Sequence, residues 1–133
     1  MHPLQCVGKD GVTREFTCQH EYIPLSSEWI FRVRVISEVV DPDSFELVLE
    51  ELDDETVRVI VLHNYGNPAY SGKGIPDALL PYAASTLGRK VQSSPTYADG
   101  GVFRTPAATK VWARLVGAGK ATYDRDADIY QIA

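Results

Sequence analysis

The stretch from Val57 to Leu80 constrains this chain more than any other. Val57-Arg58-Val59-Ile60-Val61-Leu62 is an almost unbroken, mostly β-branched apolar run. That composition suits a central strand covered on both faces. Asn64-Tyr65-Gly66-Asn67-Pro68 supplies turn formers, Gly72 and Gly74 flank Lys73, and Ile75 opens a helical apolar pattern. Pro76 fits the first helical turn, where its missing N–H costs nothing. Strand, glycine turn and helix start together form an anion cradle. The first N–H groups of a helix lack internal partners, the dipole adds partial positive charge, and Lys73 adds a mobile cation. Ser71 through Ile75 are therefore candidate ligand-binding residues.

The flanks predict a mixed α/β domain. Phe31, Val33 and Val35 alternate with Arg32 and Arg34, and Phe45, Leu47 and Leu49 with Glu46, Val48 and Glu50. With Val57–Leu62 these strands form an antiparallel meander. Ile75 to Leu87 reads as a helix with Pro81 inside and Gly88 at its end. Val91 to Ser94 reads as a short strand, so a right-handed parallel crossover is expected. Pro95 to Phe103 is a loop. Thr105 caps a second helix over Ala107–Val116, with Pro106 at its first position. Ala121–Tyr123 and Ile129–Ile132 read as a terminal hairpin. Residues 1–28 are least legible: Leu4–Val7 and Val12–Cys18 suggest a small hairpin about Gly8-Lys9-Asp10-Gly11.

The length of 133 residues gives one domain with its own core. No apolar run of about eighteen residues exists, so no membrane span is expected. The N-terminus lacks the pattern of a secretory signal, and cytoplasmic residence is the default expectation. Cys6 and Cys18 are expected as reduced thiols. With His2 and His20 they match no zinc spacing, and no metal is expected. The net charge of −5 argues against nucleic acid and anionic membrane as partners. Nine of the eighteen acidic residues lie between Glu38 and Glu55 with no Lys or Arg among them. This is read as a solvated hairpin, with attraction of a cationic amine as the functional alternative.

Ser71-Gly72-Lys73-Gly74-Ile75, followed by Ala78-Leu79-Leu80 and Ala83, resembles the acetyl-coenzyme A signature of the GNAT superfamily of N-acetyltransferases. The signature is Arg/Gln-x-x-Gly-x-Gly/Ala after the fourth strand of the family. Gly72 and Gly74 match it, and Ala69 stands at its first position. The order of elements over residues 29–132 is also similar to the GNAT core. Ala108-x-x-x-Trp112-Ala113-Arg114-Leu115 looks like its later helix, with Trp112 where the family commonly has tyrosine. The family's pair of helices after its first strand is not apparent in residues 1–28. The resemblance implies a single GNAT-like acyl-CoA N-acyltransferase domain with a mostly antiparallel mixed sheet and helices on both faces.

It further implies transfer of an acetyl group from acetyl-CoA to a primary amine on a small molecule or peptide, with a homodimer as a further expected partner. Leu62, His63 and Asn64 would border the thioester, and the amides of Gly72 to Ile75 would hold the pyrophosphate of coenzyme A. Trp112 would face the cofactor. His63 is the expected base, being of the one residue type that ordinarily changes charge near neutral pH. Tyr123 and Tyr97 are candidate acids for the leaving thiolate. Ser93 and Ser94 orient substrate or simply occupy the strand. The alternative is a noncatalytic GNAT-like domain that binds coenzyme A weakly or serves as a protein-interaction module.

Overall fold

The computed structural model describes residues 2–37, 43–64, 66–96 and 104–133. Asp41 and Pro42 of an expected turn, Tyr65, and the loop residues 97–103 with Tyr97 lie outside these. The protein is an α+β domain built on an eight-stranded, mostly antiparallel open sheet with two helices. The strands are β1 (His2–Val7), β2 (Thr13–Ile23), β3 (Glu28–Val35), β4 (Phe45–Glu51), β5 (Thr56–His63), β6 (Lys90–Gln92), β7 (Thr122–Asp124) and β8 (Ile129–Ile132). The helices are α1 (Ile75–Leu87) and α2 (Pro106–Gly117). The order across the sheet is β1-β2-β3-β4-β5-β6-β8-β7, and the β5–β6 pair is parallel.

The expected meander over β3, β4 and β5 is present, and β5 lies inside the sheet. The N-terminal hairpin is larger than its sequence suggested. β2 runs on to Ile23 and pairs with β3 from Phe16 to Ile23, placing His20 opposite Phe31 and Tyr22 opposite Trp29. The helix signals hold. Thr105 Oγ1 accepts the Ala108 N–H at 3.2 Å, and Gly88 closes α1 in the left-handed region at φ 63°. Pro81 sits within α1, which runs on through it.

One expectation is corrected: both helices cover the same face. Phe31, Leu47, Leu49, Val57, Val91 and Ile132 follow one another in register across that face and are buried. Tyr82 of α1 meets Phe31 edge-on with ring centroids 6.3 Å apart. Trp112 of α2 stacks on Tyr130 at 5.9 Å, on the same side as Ile132. Two right-handed crossovers running in one direction along a sheet deliver their helices to one side. The opposite face carries a ladder of charges instead. Arg32 pairs with Glu21 at 2.5 Å, and Arg58 pairs with Glu50. Val48, flanked in register by Ile30 and Val61, is still only 8% exposed there. No described helix is long and apolar enough to cross a membrane.

Candidate functional site: a split between two parallel strands

β5 pairs with β6 over three positions, Thr56–Arg58 against Lys90–Gln92. β5 then continues through Val59 to His63 on its own on that side, while β6 ends. The two serines that follow β6 explain the divergence. Ser93 keeps to β8: its N–H donates to Tyr130 O at 2.9 Å, and its Oγ accepts the Tyr130 N–H at 3.0 Å. Ser94 reaches back across the gap and donates its hydroxyl to Val59 O at 2.7 Å. Both serines are buried. Both serines thus occupy the strand end, and both also border the cleft described next.

The split holds a cavity of about 270 Å³, bordered by Ile60, Leu62, His63, Ser94, Arg104 and Trp112. The β4–β5 register slips beside it. Val48 faces Val61 while Leu49 faces Val59, leaving Ile60 as an extra residue. Such a bulge re-aims the strand and interrupts its ladder. Beyond the Ser94 bond to Val59 O, the cavity therefore borders an interior strand edge that pairs with no neighbouring strand among the described residues.

Arg104 forms the wall away from β5. It is 6% exposed. Its Nε donates to Thr109 Oγ1 at 2.8 Å, and its Nη2 to Asp128 Oδ1 at 2.8 Å. Its Nη1 donates to Ser93 Oγ at 3.2 Å and to the carbonyls of Ser94 and Asp128 at 3.1 Å each. The guanidinium also lies over the Tyr130 ring, 4.7 Å from its centroid. The sequence reading missed this residue. One signal was present: an arginine just before Thr105-Pro106 meets the unfavourable end of the helix dipole, so it requires partners elsewhere.

A second cavity of about 480 Å³ lies between the β1–β2 turn and the two helices. Lys9, Lys110 and Arg114 line it against one carboxylate, Asp77, and Gly72 and Gly74 form part of its wall. Arg114 clamps Asp77 with two hydrogen bonds of 2.7 and 2.8 Å. Lys73, nearby, contributes to holding the Asp10 carboxyl down to about 2, behind the larger effect of the hydrogen bond from Arg14. Lys9, Lys110 and Arg114 are far apart in the chain, and only the fold collects them.

The expected site residues thus divide. Leu62, His63 and Trp112 border the cleft. Gly72 and Gly74 border the basic cavity. Lys73 is half-buried in the same turn, and Ser71, exposed, closes the preceding short helical turn at Pro68–Tyr70. The Ile75 side chain is in the core. The turn also has a structural duty. Gly74 has φ 77°, a Cβ on it would lie 2.0 Å from the Val7 carbonyl oxygen, and Gly72 O accepts the Lys9 N–H at 3.0 Å. Tyr123 does not join the cleft. It is 41% exposed and donates its phenol hydrogen to Asp128 Oδ1 at 2.7 Å, a bond that raises its pKa and makes it a poorer acid. Trp112 is 1% exposed, and its indole packs on Tyr130.

No protein-family model matches the chain, and no curated protein or solved structure matches it.

Proposed function

We propose that the protein binds an acyl-coenzyme A, acetyl-CoA in the simplest case, and transfers its acyl group directly to a primary amine. The observation that carries this reading is the edge of β5 at Ile60–Leu62, inside the sheet and beside a cavity, which pairs with no strand on that side among the described residues. Backbone polar groups in such a place require partners. An extended ligand arm bearing amides supplies them as an added strand would, and the pantetheine arm of coenzyme A is such a ligand. The basic cavity supports the same reading. Three cations against one carboxylate, at a helix N-terminus and on a chain of net charge −5, suit a phosphorylated end group. The succession of meander, α1 crossover, α2 and terminal hairpin is similar to the GNAT core, and the GNAT-like fold is part of the proposal. A turn of four residues, 24–27, joins β2 to β3 where that family has helices.

The thioester supplies the activated acyl group. The protein's part is to orient and to move protons. N–H groups of β5 near the Ile60 bulge are the donors available to the carbonyl oxygen. His63, at the end of β5, takes the proton that the attacking amine gives up. The leaving sulfur takes its proton from water, since among the described residues no tyrosine lines the cleft. A modest rate is expected. The noncatalytic alternative has two observations in its favour: Trp112, which the resemblance aligns with the family's tyrosine, borders the cleft, and Tyr123 is committed to Asp128.

Thermal unfolding with acetyl-CoA, coenzyme A and ATP tests the binding. At a hundredfold excess over Kd the stabilisation is about 2.7 kcal/mol. No shift with either coenzyme overturns the proposal. Thiol release across polyamines, amino acids and lysine peptides tests the transfer. Binding without release, unchanged by His63→Ala, moves the protein to the noncatalytic reading.

A further inference from the structure

We infer that Arg104 is a positioning residue that sets the width of the β5–β6 cleft; this rests on the reading of that cleft as the ligand site. Two strands that begin in parallel register, with unpaired edges facing each other, ordinarily continue to pair. Here they stop after three positions. The bulge at Ile60 disturbs one side of the gap, and Arg104 holds the other. Its Nη1 takes both the Ser93 hydroxyl and the Ser94 carbonyl, so it grips the β6 end at two successive residues. The same Nη1 also donates to Asp128 O, and Nε and Nη2 anchor the grip to α2 through Thr109 and to the β7–β8 turn through the Asp128 carboxylate.

The Ser94 carbonyl is thereby engaged away from β5. A planar fork with several donors in fixed directions does this; a point charge cannot reproduce it. Asp128 is itself braced by the Thr96 N–H at 2.8 Å and by the Tyr123 phenol at 2.7 Å. The anchor is therefore rigid on the side away from the cleft. Arg104 acts through the strand it holds and makes no claim on the reacting atoms.

Four proteins test this: wild type, Arg104→Met, Arg104→Lys, and Leu4→Ala as a core truncation remote from the cleft. Amide exchange is read at Ile60–Leu62, and coenzyme A affinity by calorimetry. In Arg104→Met the cleft-side amides of β5 gain protection by roughly tenfold as β6 closes on them, the equivalent of about one net backbone hydrogen bond. Affinity falls by roughly ten- to a hundredfold, the scale of displacing a binding wall by about 1 Å. Arg104→Lys gives an intermediate change in both. Leu4→Ala lowers protection generally and leaves the affinity of the folded fraction alone.

The inference is overturned if Arg104→Met behaves like Leu4→Ala, losing protection in β5 with its affinity intact, or if neither quantity changes. Should Arg104→Met fail to fold, Ser93→Ala removes one of the gripped groups and keeps the guanidinium. It is expected to shift exchange in the same direction by less, and no shift overturns the inference. If wild type binds no coenzyme A, the reading of the cleft fails, and exchange at Ile60–Leu62 still decides whether Arg104 holds it open.

Discussion

Gly74→Ala is expected to be among the most damaging single-methyl additions to this protein, for reasons independent of any ligand. Gly74 has φ 77°, and an alanine held in the left-handed region costs about 1–2 kcal/mol. The added Cβ would stand 2.0 Å from Val7 O and 2.7 Å from Val7 C. Both are backbone atoms, so no side chain can swing aside, and the end of β1 must move. Overpacking of that kind costs about 1–3 kcal/mol. Moving β1 also strains the Lys9 N–H···O=C Gly72 bond, worth about 1 kcal/mol. The sum is about 3–6 kcal/mol.

Gly88→Ala is the control. It has φ 63° with nothing within 4 Å of the added methyl. The backbone penalty there is partly offset by reduced freedom of the unfolded chain, leaving about 1 kcal/mol. Urea denaturation of both variants measures the difference. A Gly74→Ala protein within about 0.5 kcal/mol of Gly88→Ala would refute the close approach of β1 and α1. The same reasoning bears on ligand tests. A larger residue such as aspartate at this position disturbs the β1 joint whether or not a phosphate binds, so loss of affinity there is no evidence for an anion site.

Other expectations are cleaner. Lys110→Glu, on an exposed residue of the basic cavity, should weaken coenzyme A binding and flatten its salt dependence while leaving the denaturation midpoint within about 0.5 kcal/mol of wild type; unchanged affinity argues against phosphate binding there. The hydrogen bond from Thr96 and then the one from Arg104 hold the Asp128 carboxyl well below its ordinary value of 3.8. Its stabilisation is therefore complete at neutral pH and is lost as pH falls through the folded pKa. The stability gap between wild type and Asp128→Asn should shrink steadily below about pH 5, and a gap constant with pH contradicts this. Burial pushes both the Cys6 and the Cys18 thiols up to about 11, with Asp77 adding to the effect at Cys6. A thiol reagent at pH 8 should modify both only at the rate of unfolding, and prompt labelling of the native protein would contradict their burial. Thr105→Ala removes the α2 cap and should cost about 1 kcal/mol, measured by the same denaturation.

Much of the fold was legible because a strand with one buried face writes a period of two into the sequence. Phe31, Val33 and Val35 show it, as do Phe45, Leu47 and Leu49. β2 was read short because its core-side residues change from Phe16 and Cys18 to His20 and Tyr22. These last two are exposed yet contribute to a ring cluster with Trp29 and Phe31. The side of the sheet that carries the helices was not legible. The apolar run of β5 implied cover on both faces, but Ile60, Val61 and Leu62 are only half-buried along a bulge and a cleft, and Val57 and Val59 alone point deep into the core. The glycine turn was legible as a turn. Its dependence on the Val7 carbonyl was not, because that contact spans most of the N-terminal half of the chain. Arg104 shows the same limit, since its acceptors come from the two serines after β6, from α2 and from the β7–β8 turn.

The parallel pair also gives the sheet a crease. β1 to β5 are joined by consecutive hairpins, each strand to its predecessor along most of its length. Contacts that close short loops form early, while a parallel pair waits for its crossover. Among the described residues, β6, β8 and β7 meet this meander through three register positions, the Lys90 N–H bond to Glu55 O, the Arg89–Glu51 ion pair and the Ser94–Val59 hydrogen bond. α1, which packs on both β1 and β6, is the main strap across the join. The cleft is therefore expected along a line that closes late in folding and opens at low cost afterwards. A ligand pairing with β5 at that line would act as a splint, and the two halves of the sheet would exchange their amide hydrogens more nearly as one body in its presence.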